Sequence, residues 1–412
     1  METRINQNTK RTAIKVSLVA VISLLLLIPL EMIKGVIVDR GITKNAVVEE
    51  IANSYAGQQE ISAPYLVSHV YNEKNDTNKV KTGKYNIYCS SLNYKSDVKT
   101  EMLHRSVYDV IVFNSKIQIF GKFLITDKII SAGKIDFCLN ISDIKGFSNS
   151  SQVSFGGQTY DFKRGPKCYV AEVKLPQDVK TGETIDFSVS FNLKGTESLS
   201  FHPSGSGTTS VAICSSYPHP SFQGTMLPDN RNIRDDGFDA TWNVSDLNSS
   251  ASDSIGVRFV DPANPYQQSM RSVKYGIIII ILVFVASLFV EFLTRKEINP
   301  IQYSVIGLSL VLFYSLLLAF SEFIAFGIAY VIAALMTTGA LVFYFRAILK
   351  NRSAYVLGGI VALVYALNYM LLQMETYALL AGSLVLFLLL CVVMYLTANI
   401  NNNKAITKVE QQ

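Results

Sequence analysis

The chain has 412 residues, a formal net charge of +5, 49% hydrophobic residues and a mean hydropathy of +0.28. That average joins two compositions: residues 35–271 are polar with balanced charges, while both flanks are apolar with charges confined to short joins. The densest basic spot, Lys163, Arg164 and Lys167, reads as a solvated turn, so nucleic acid is excluded as a partner class.

Lys10, Arg11 and Lys15 precede an apolar run over 16–30. A basic start and an apolar middle fit a signal peptide, but Pro29-Leu30-Glu31-Met32-Ile33-Lys34 offers no small-x-small cleavage site. We read 1–33 as a cytoplasmic tail and a retained transmembrane anchor, with the basic N-terminus inside. Val47, Ile51 and Tyr55 then recur every four residues, with Glu49 and Glu50 opposite. This predicts an amphipathic juxtamembrane helix within 34–61, stopping at Gly57. A stalk packed on the next domain explains it better than a binding helix.

From Ser62 the period changes to two. In 184–193, Ile185, Phe187, Val189, Phe191 and Leu193 alternate with Asp186, Ser188, Ser190 and Asn192, a sheet with one buried face. Residues 135–141 repeat the pattern, and shorter candidates cover 65–71, 84–91, 107–120, 168–175, 198–201, 208–214 and 239–244. Gly156-Gly157, Gly165-Pro166, Gly182, Gly205 and Gly207 punctuate them. Many short strands with frequent turns predict an extracytoplasmic antiparallel β-sandwich-like domain over 62–272. Cys89, Cys138, Cys168 and Cys214 lie in it. Outside the cytosol they could form disulfides, and three pairings are open. Cys391 reads as a small buried hydrophobe.

Two prolines around one histidine stiffen Tyr217-Pro218-His219-Pro220-Ser221-Phe222-Gln223-Gly224. His219 could be a base or ligand on an exposed loop, but a rigid crossover whose shape matters is the simpler reading. His69, His104 and His202 show no metal-ligand spacing. Asp235, Asp236 and Asp239 lack the EF-hand pattern, so Gly237 and Phe238 read as a turn entering a strand with Trp242 buried. There is no P-loop and no GxGxxG after a strand, and Ser206 in Ser-Gly-Ser-Gly is no nucleophile elbow. We therefore predict no enzyme, and no catalytic, cofactor-binding or metal-binding residue.

Five apolar runs of transmembrane length follow, over 275–293, 300–320, 323–345, 354–372 and 376–397. Arg295 and Lys296 follow the first, Arg346, Lys350 and Arg352 the third, and Lys404 and Lys408 the fifth. The other two joins hold only Glu322 and Glu375. This alternation places the middle domain outside and the 398–412 tail inside. The predicted class is membrane α-helical plus all-β: one N-terminal anchor, a large outer β domain and a five-helix bundle over 273–397. Glu322 and Glu375 are outer-loop acids, and no span carries a buried Lys, Arg, Asp or His, which favours a structural bundle over a translocation path.

The sequence resembles the bacterial inner-membrane family called CreD. The resemblance rests on Ile28-Pro29-Leu30, Gly195-Thr196 with Leu199-Ser200-Phe201, Pro218 to Gly224, and Gly237-Phe238-Asp239-Ala240-Thr241-Trp242. It continues through Phe259-Val260-Asp261-Pro262, Tyr266-Gln267-Gln268-Ser269, Lys274-Tyr275-Gly276, Pro300-Ile301-Gln302-Tyr303 and Glu375-Thr376-Tyr377-Ala378-Leu379-Leu380. Two departures stand out: Tyr217 replaces the family's usual Trp, and Phe323 replaces a frequent His, which speaks against an acid–histidine pair at Glu322. The resemblance implies a link to envelope stress, colicin tolerance and β-lactam response, with no assigned catalytic residue. The expected function is envelope integrity, the outer domain binding an envelope protein or cell-wall component and the helices contacting the lipid bilayer. The alternative is a transporter or transport-associated protein using the five helices.

Overall fold

The computed structural model describes residues 2–373 apart from 73–80, 149–151, 166–167, 205, 249, 251, 263 and 295, and then 380, 382–384, 387, 390–391 and 394. Lys167, Gly205, Glu375, most of the run 376–397 and the tail 398–412 lie outside the described residues.

Helices α1 (Glu2–Leu25) and α2 (Leu27–Ser54) open the chain. They break at Leu26, where Pro29 cannot donate to the preceding turn and its ring crowds the carbonyl of residue 25. Next come β1 (Gln59–Ile61), β2 (Tyr65–Asn72), β3 (Lys81–Tyr88), β4 (Ser91–Arg105), β5 (Tyr108–Leu124), the single turn α3 (Asp127–Ile130) and β6 (Lys134–Leu139). They are followed by β7 (Phe147–Ser148), β8 (Gln152–Phe155), β9 (Gln158–Asp161), β10 (Lys163–Arg164), β11 (Tyr169–Val173) and β12 (Thr184–Thr196). The β region ends with β13 (Ser198–Phe201), β14 (Thr208–Ser215), β15 (Pro220–Gly224), β16 (Asn230–Arg234), β17 (Gly237–Val244) and β18 (Ile255–Phe259). Helices α4 (Pro265–Lys274), α5 (Gly276–Thr294), α6 (Pro300–Ser321), α7 (Phe326–Leu349) and α8 (Ser353–Gln373) complete the described fold.

Two units result: residues 43–262, and residues 1–42 with 263–412. In the first, a nine-stranded sheet runs β16-β17-β14-β4-β5-β12-β8-β9, with β7 beside β12. A five-stranded sheet runs β10-β11-β6-β2-β3 and a four-stranded sheet β1-β13-β18-β15. One face of the large sheet meets both smaller ones. Phe123 and Phe187 lie 6.0 and 5.3 Å from Phe137, while Tyr94 and Phe113 lie 4.7 and 5.6 Å from Phe201 and Phe259. Pairing is antiparallel except for β1 with β13 and β14 with β4, which are parallel, contrary to a purely antiparallel expectation.

Four further expectations are corrected. The helix predicted within 34–61 ends at Ser54, and Gln59–Ile61 is a strand. Gln59 is fully buried, its amide nitrogen donating to the carbonyls of Asp143 and Lys194, which draws this segment into the sheet. The candidate 84–91 is the end of one strand and the start of another, broken at Cys89-Ser90. The crossover at Pro220 is an edge strand, a place that tolerates proline because no ladder bond is lost there. In β5, Val110 to Phe113 are buried in succession rather than alternately, because Ile51, Val47 and Tyr55 of the α2 segment cover Val110 and Val112 on the second face.

In the helical unit, Ile14–Ser54, α6, α7 and α8 are long and apolar enough to cross a membrane. The pair α4 and α5, bent by 44°, makes a fifth if counted as one span. The run over 376–397, expected as the sixth, falls mostly outside the described residues. Close approach is set by glycines: a Cβ on Gly307 would stand 2.1 Å from Leu26, and one on Gly358 2.1 Å from Val342.

Candidate functional site

The Tyr217–Trp242 stretch is a joint between sheets. Pro220, Ser221, Phe222 and Gly224 pair with Phe259, Arg258, Val257 and Ile255. Phe222 stands edge-on to Phe238 and Trp242, each at 5.8 Å, and both of those rings are buried. The Trp242 indole donates to Met226 O at 3.3 Å, and the Tyr217 hydroxyl to Val260 O at 2.8 Å. Gly224 (φ +109°) and Gly237 (φ +149°) lie against backbone, so a Cβ would meet Ser254 O at 1.9 Å and Ser215 O at 2.1 Å. Pro218 is half-buried, and the His219 imidazole is exposed. His219 enters the joint through its carbonyl, which accepts from Val260 N–H at 3.3 Å. Arg234 binds Asp236 at 3.2 Å and Asp239 at 2.6 Å, so these acids close a turn. Among the described residues no group of three His, Cys, Asp or Glu could hold a metal ion.

Glu322 is not an open loop acid. It follows α6, only 9% of its side chain is exposed, and it accepts from the Tyr266 hydroxyl at 3.3 Å with Arg40 at 3.5 Å. Glu291 is also buried, paired with Lys15 and accepting from the Tyr303 hydroxyl at 3.0 Å. Glu375 lies outside the described residues.

Residues that sequence reasoning passed over form a cleft of about 470 Å³ in the β unit. Asn45, Val48, Glu49 and Ala52 supply one wall, and Gln58, Thr196, Glu197 and Arg258 the other. Glu197 is its odd member. Its φ of +64° lies in the left-handed region that non-glycine residues rarely occupy. It joins β12 of the large sheet to β13 of the small one, a change of direction where glycine or asparagine would be easier. Neighbouring strands hold it there: its N–H donates to Ile111 O at 3.1 Å and its carbonyl accepts from Phe259 N–H at 2.8 Å. The carboxylate accepts from Gln58 Nε2 at 3.0 Å. Two carboxylates, Glu49 and Glu197, thus share the cleft with the exposed Arg258 side chain. The signal was within reach, since Glu197 sits inside the quoted Gly195-Thr196…Leu199-Ser200-Phe201 stretch, but nothing in the residue type announces a left-handed backbone.

A second, shallower groove of about 430 Å³ crosses the exposed face of the large sheet, lined by Lys95, Asp97, Lys116, Gln118, Cys214 and Asp239 among others. The Cys214 thiol is pushed up to about 11, first by hydrogen bonding to Asp239 and then by burial, so it is a poor nucleophile.

A β-rich unit joined to several membrane-length helices defines an integral membrane protein with a large non-membrane domain. The model of the family described as inner membrane protein CreD matches residues 11–403, and the chain belongs to that family. The inner membrane protein CreD of Escherichia coli (strain K12) is 29% identical over 413 residues, spanning 92% of this chain and 91% of the relative. Two crystal structures of an M1 zinc metallopeptidase from Deinococcus radiodurans, one a mutant bound to a Tyr-Ser-Ala substrate, align at 10% identity over 42% of each chain. Their TM-score of 0.23 carries no argument.

Proposed function

We propose that this CreD-family protein is a non-enzymatic guardian of the cell envelope whose β unit lies outside the cytoplasm and binds an envelope component in the Glu49–Glu197–Arg258 cleft. The observation that carries this is the strained Glu197. Left-handed backbone at a non-glycine residue costs about 1–2 kcal/mol, and such strain concentrates at functional sites where surrounding bonds over-determine it. Carboxylates beside a guanidinium suit a ligand that presents both an ammonium and a carboxylate, as a cell-wall peptide does. Glu197→Gln and Arg258→Glu should each reproduce the envelope-stress sensitivity of cells lacking the protein, at normal abundance. Full resistance in both variants at normal abundance would show that the cleft is not the binding site.

The alternative, transport through the helices, has one observation of its own. Asn368 Nδ2 donates to Tyr330 OH at 3.0 Å and Ser272 Oγ at 3.4 Å, which turns its carbonyl oxygen away. That oxygen and the hydroxyls of Ser269, Tyr314 and Tyr365 are buried without a hydrogen-bond partner among the described residues. Such atoms call for water or a solute. Among the described residues these atoms lie on α4, α6 and α8 amid mostly apolar buried side chains, and we place this reading second.

A further inference from the structure

The four cysteines of the β unit are separated by the fold. Cys89 is fully buried and its thiol donates to Pro64 O at 3.1 Å. Cys214 is exposed on the outer face of the nine-stranded sheet, paired across to Asp239 and Asp97. Cys138 and Cys168 share one place. Cys138, on β6, stands opposite Tyr65 of β2 on one side and Val170 of β11 on the other. Cys168 lies two residues before Val170, so it projects from the same face, diagonal to Cys138. It stands one residue ahead of β11, its carbonyl accepting from Gly165 N–H at 2.9 Å. The Tyr65 phenol and the Cys138 thiol are both pushed up, first by burial and then by the neighbouring cysteine sulfurs, as befits side chains sharing one face. Both are free thiols in this structure.

We propose that Cys138 and Cys168 are a redox pair that closes into a disulfide in the folded β unit, cross-linking β6 to the start of β11. In a cell this rests on the reading that the unit lies outside the cytoplasm, where oxidants keep disulfides closed. A disulfide-bearing oxidant, RSSR, supplies the electron sink. The Cys168 thiol loses its proton and attacks one sulfur of RSSR. The S–S bond breaks, and the first RS⁻ leaves and takes up a proton. Cys138 then loses its proton and attacks the Cys168 sulfur of the mixed disulfide, expelling the second RS⁻, which is protonated in turn. Two protein thiols are oxidised and RSSR is reduced to two RSH.

Exposure sets the order of attack. Cys168 is half-buried, whereas Cys138 is buried and its thiol is pushed up to about 12, first by burial and then by the neighbouring Cys168. Cys168 is therefore the residue that meets the oxidant, and Cys138 resolves. The closed loop would contain β7, β8, β9 and β10, so the bond restrains an excursion that leaves the five-stranded sheet, contributes to the nine-stranded one and returns.

The test uses the unaltered full-length protein. Membranes are acid-quenched and denatured, free thiols are alkylated, and peptides are mapped without reduction. We expect alkylated Cys89, Cys214 and Cys391, and one linked peptide pair joining Cys138 to Cys168. Cys168→Ser should leave Cys138 fully alkylated. In a second arm, purified protein reduced in detergent and then given oxidised glutathione should lose two of its five thiols, both from this pair. Failure of that arm overturns the proposal wherever the unit resides. Alkylated Cys138 and Cys168 from cells in which a reporter after Glu60 reads outside overturns it as well. If that reporter reads inside, the location is refuted separately, and the glutathione arm alone decides the pairing.

Discussion

At the scale of single residues, Phe238 and His219 make opposite demands. Phe238 is fully buried, with the Phe222 ring edge-on and Trp242 against the same ring. Truncation there leaves a cavity costing about 3–5 kcal/mol, a large part of the ~5–15 kcal/mol that holds a domain folded. Phe238→Ala should lower the amount of folded protein in quantitative immunoblots. His219→Ala should leave both abundance and stress resistance intact, because only its backbone carbonyl is used and the ring merely edges Tyr217 at 6.0 Å. A normally abundant but inactive His219→Ala protein would return chemistry to this loop. The burial of Phe238 and Trp242 was legible, since aromatics after a glycine turn need a core. The φ values that fix the joint were not, because a glycine in sequence does not say which backbone atom it lets approach.

At the scale of elements, what stayed hidden was hidden for physical reasons. Strand β4 buries Leu92, Tyr94, Ser96 and Val98 on one face, but Ser96 breaks the apolar alternation. It is tolerated inside because its hydroxyl bonds Ser115 Oγ at 2.8 Å across the strand pair. Strand β16 is exposed throughout and therefore has no periodic signal, and β1 is only three residues long. The β12–β13 junction gives a test that separates strain from chemistry. Glu197→Gly relieves the left-handed backbone at the cost of extra freedom in the unfolded chain, so stability should hold or rise by up to about 1 kcal/mol. Glu197→Gln keeps the strain and should leave stability unchanged. If the carboxylate binds ligand, both lose stress resistance. Thermal unfolding in detergent beside a stress assay reads the two effects. A destabilised Glu197→Gly protein would mean that the junction, not the carboxylate, is what the residue serves.

At the scale of the whole molecule, the charge pattern of the joins and the ion pairs of the helical unit bear on the same question. Lys15 pairs with Glu291 near the end of α5, and Lys296 donates to Leu349 O at the end of α7. Those two pairs mark one end of the helical unit. Arg40 pairs with Glu322 after α6, which marks the other. From Lys15 to Arg40 the consecutive helices α1 and α2 rise roughly 37 Å along the chain, and α6 rises about 33 Å, each sufficient for the ~30 Å hydrocarbon core. The first end gathers Lys15, Lys296, Arg346, Lys350 and Arg352, and the basic end of an inner-membrane protein faces the cytoplasm. Reporter fusions after Lys296, Lys350 and Lys408 should therefore read inside, and fusions after Glu60, Glu322 and Glu375 outside. The Glu60 fusion is decisive, because Glu60 heads the β unit. An inside signal there would invert the arrangement, put the cleft and the cysteine pair in the cytoplasm, and leave an envelope ligand no access to either.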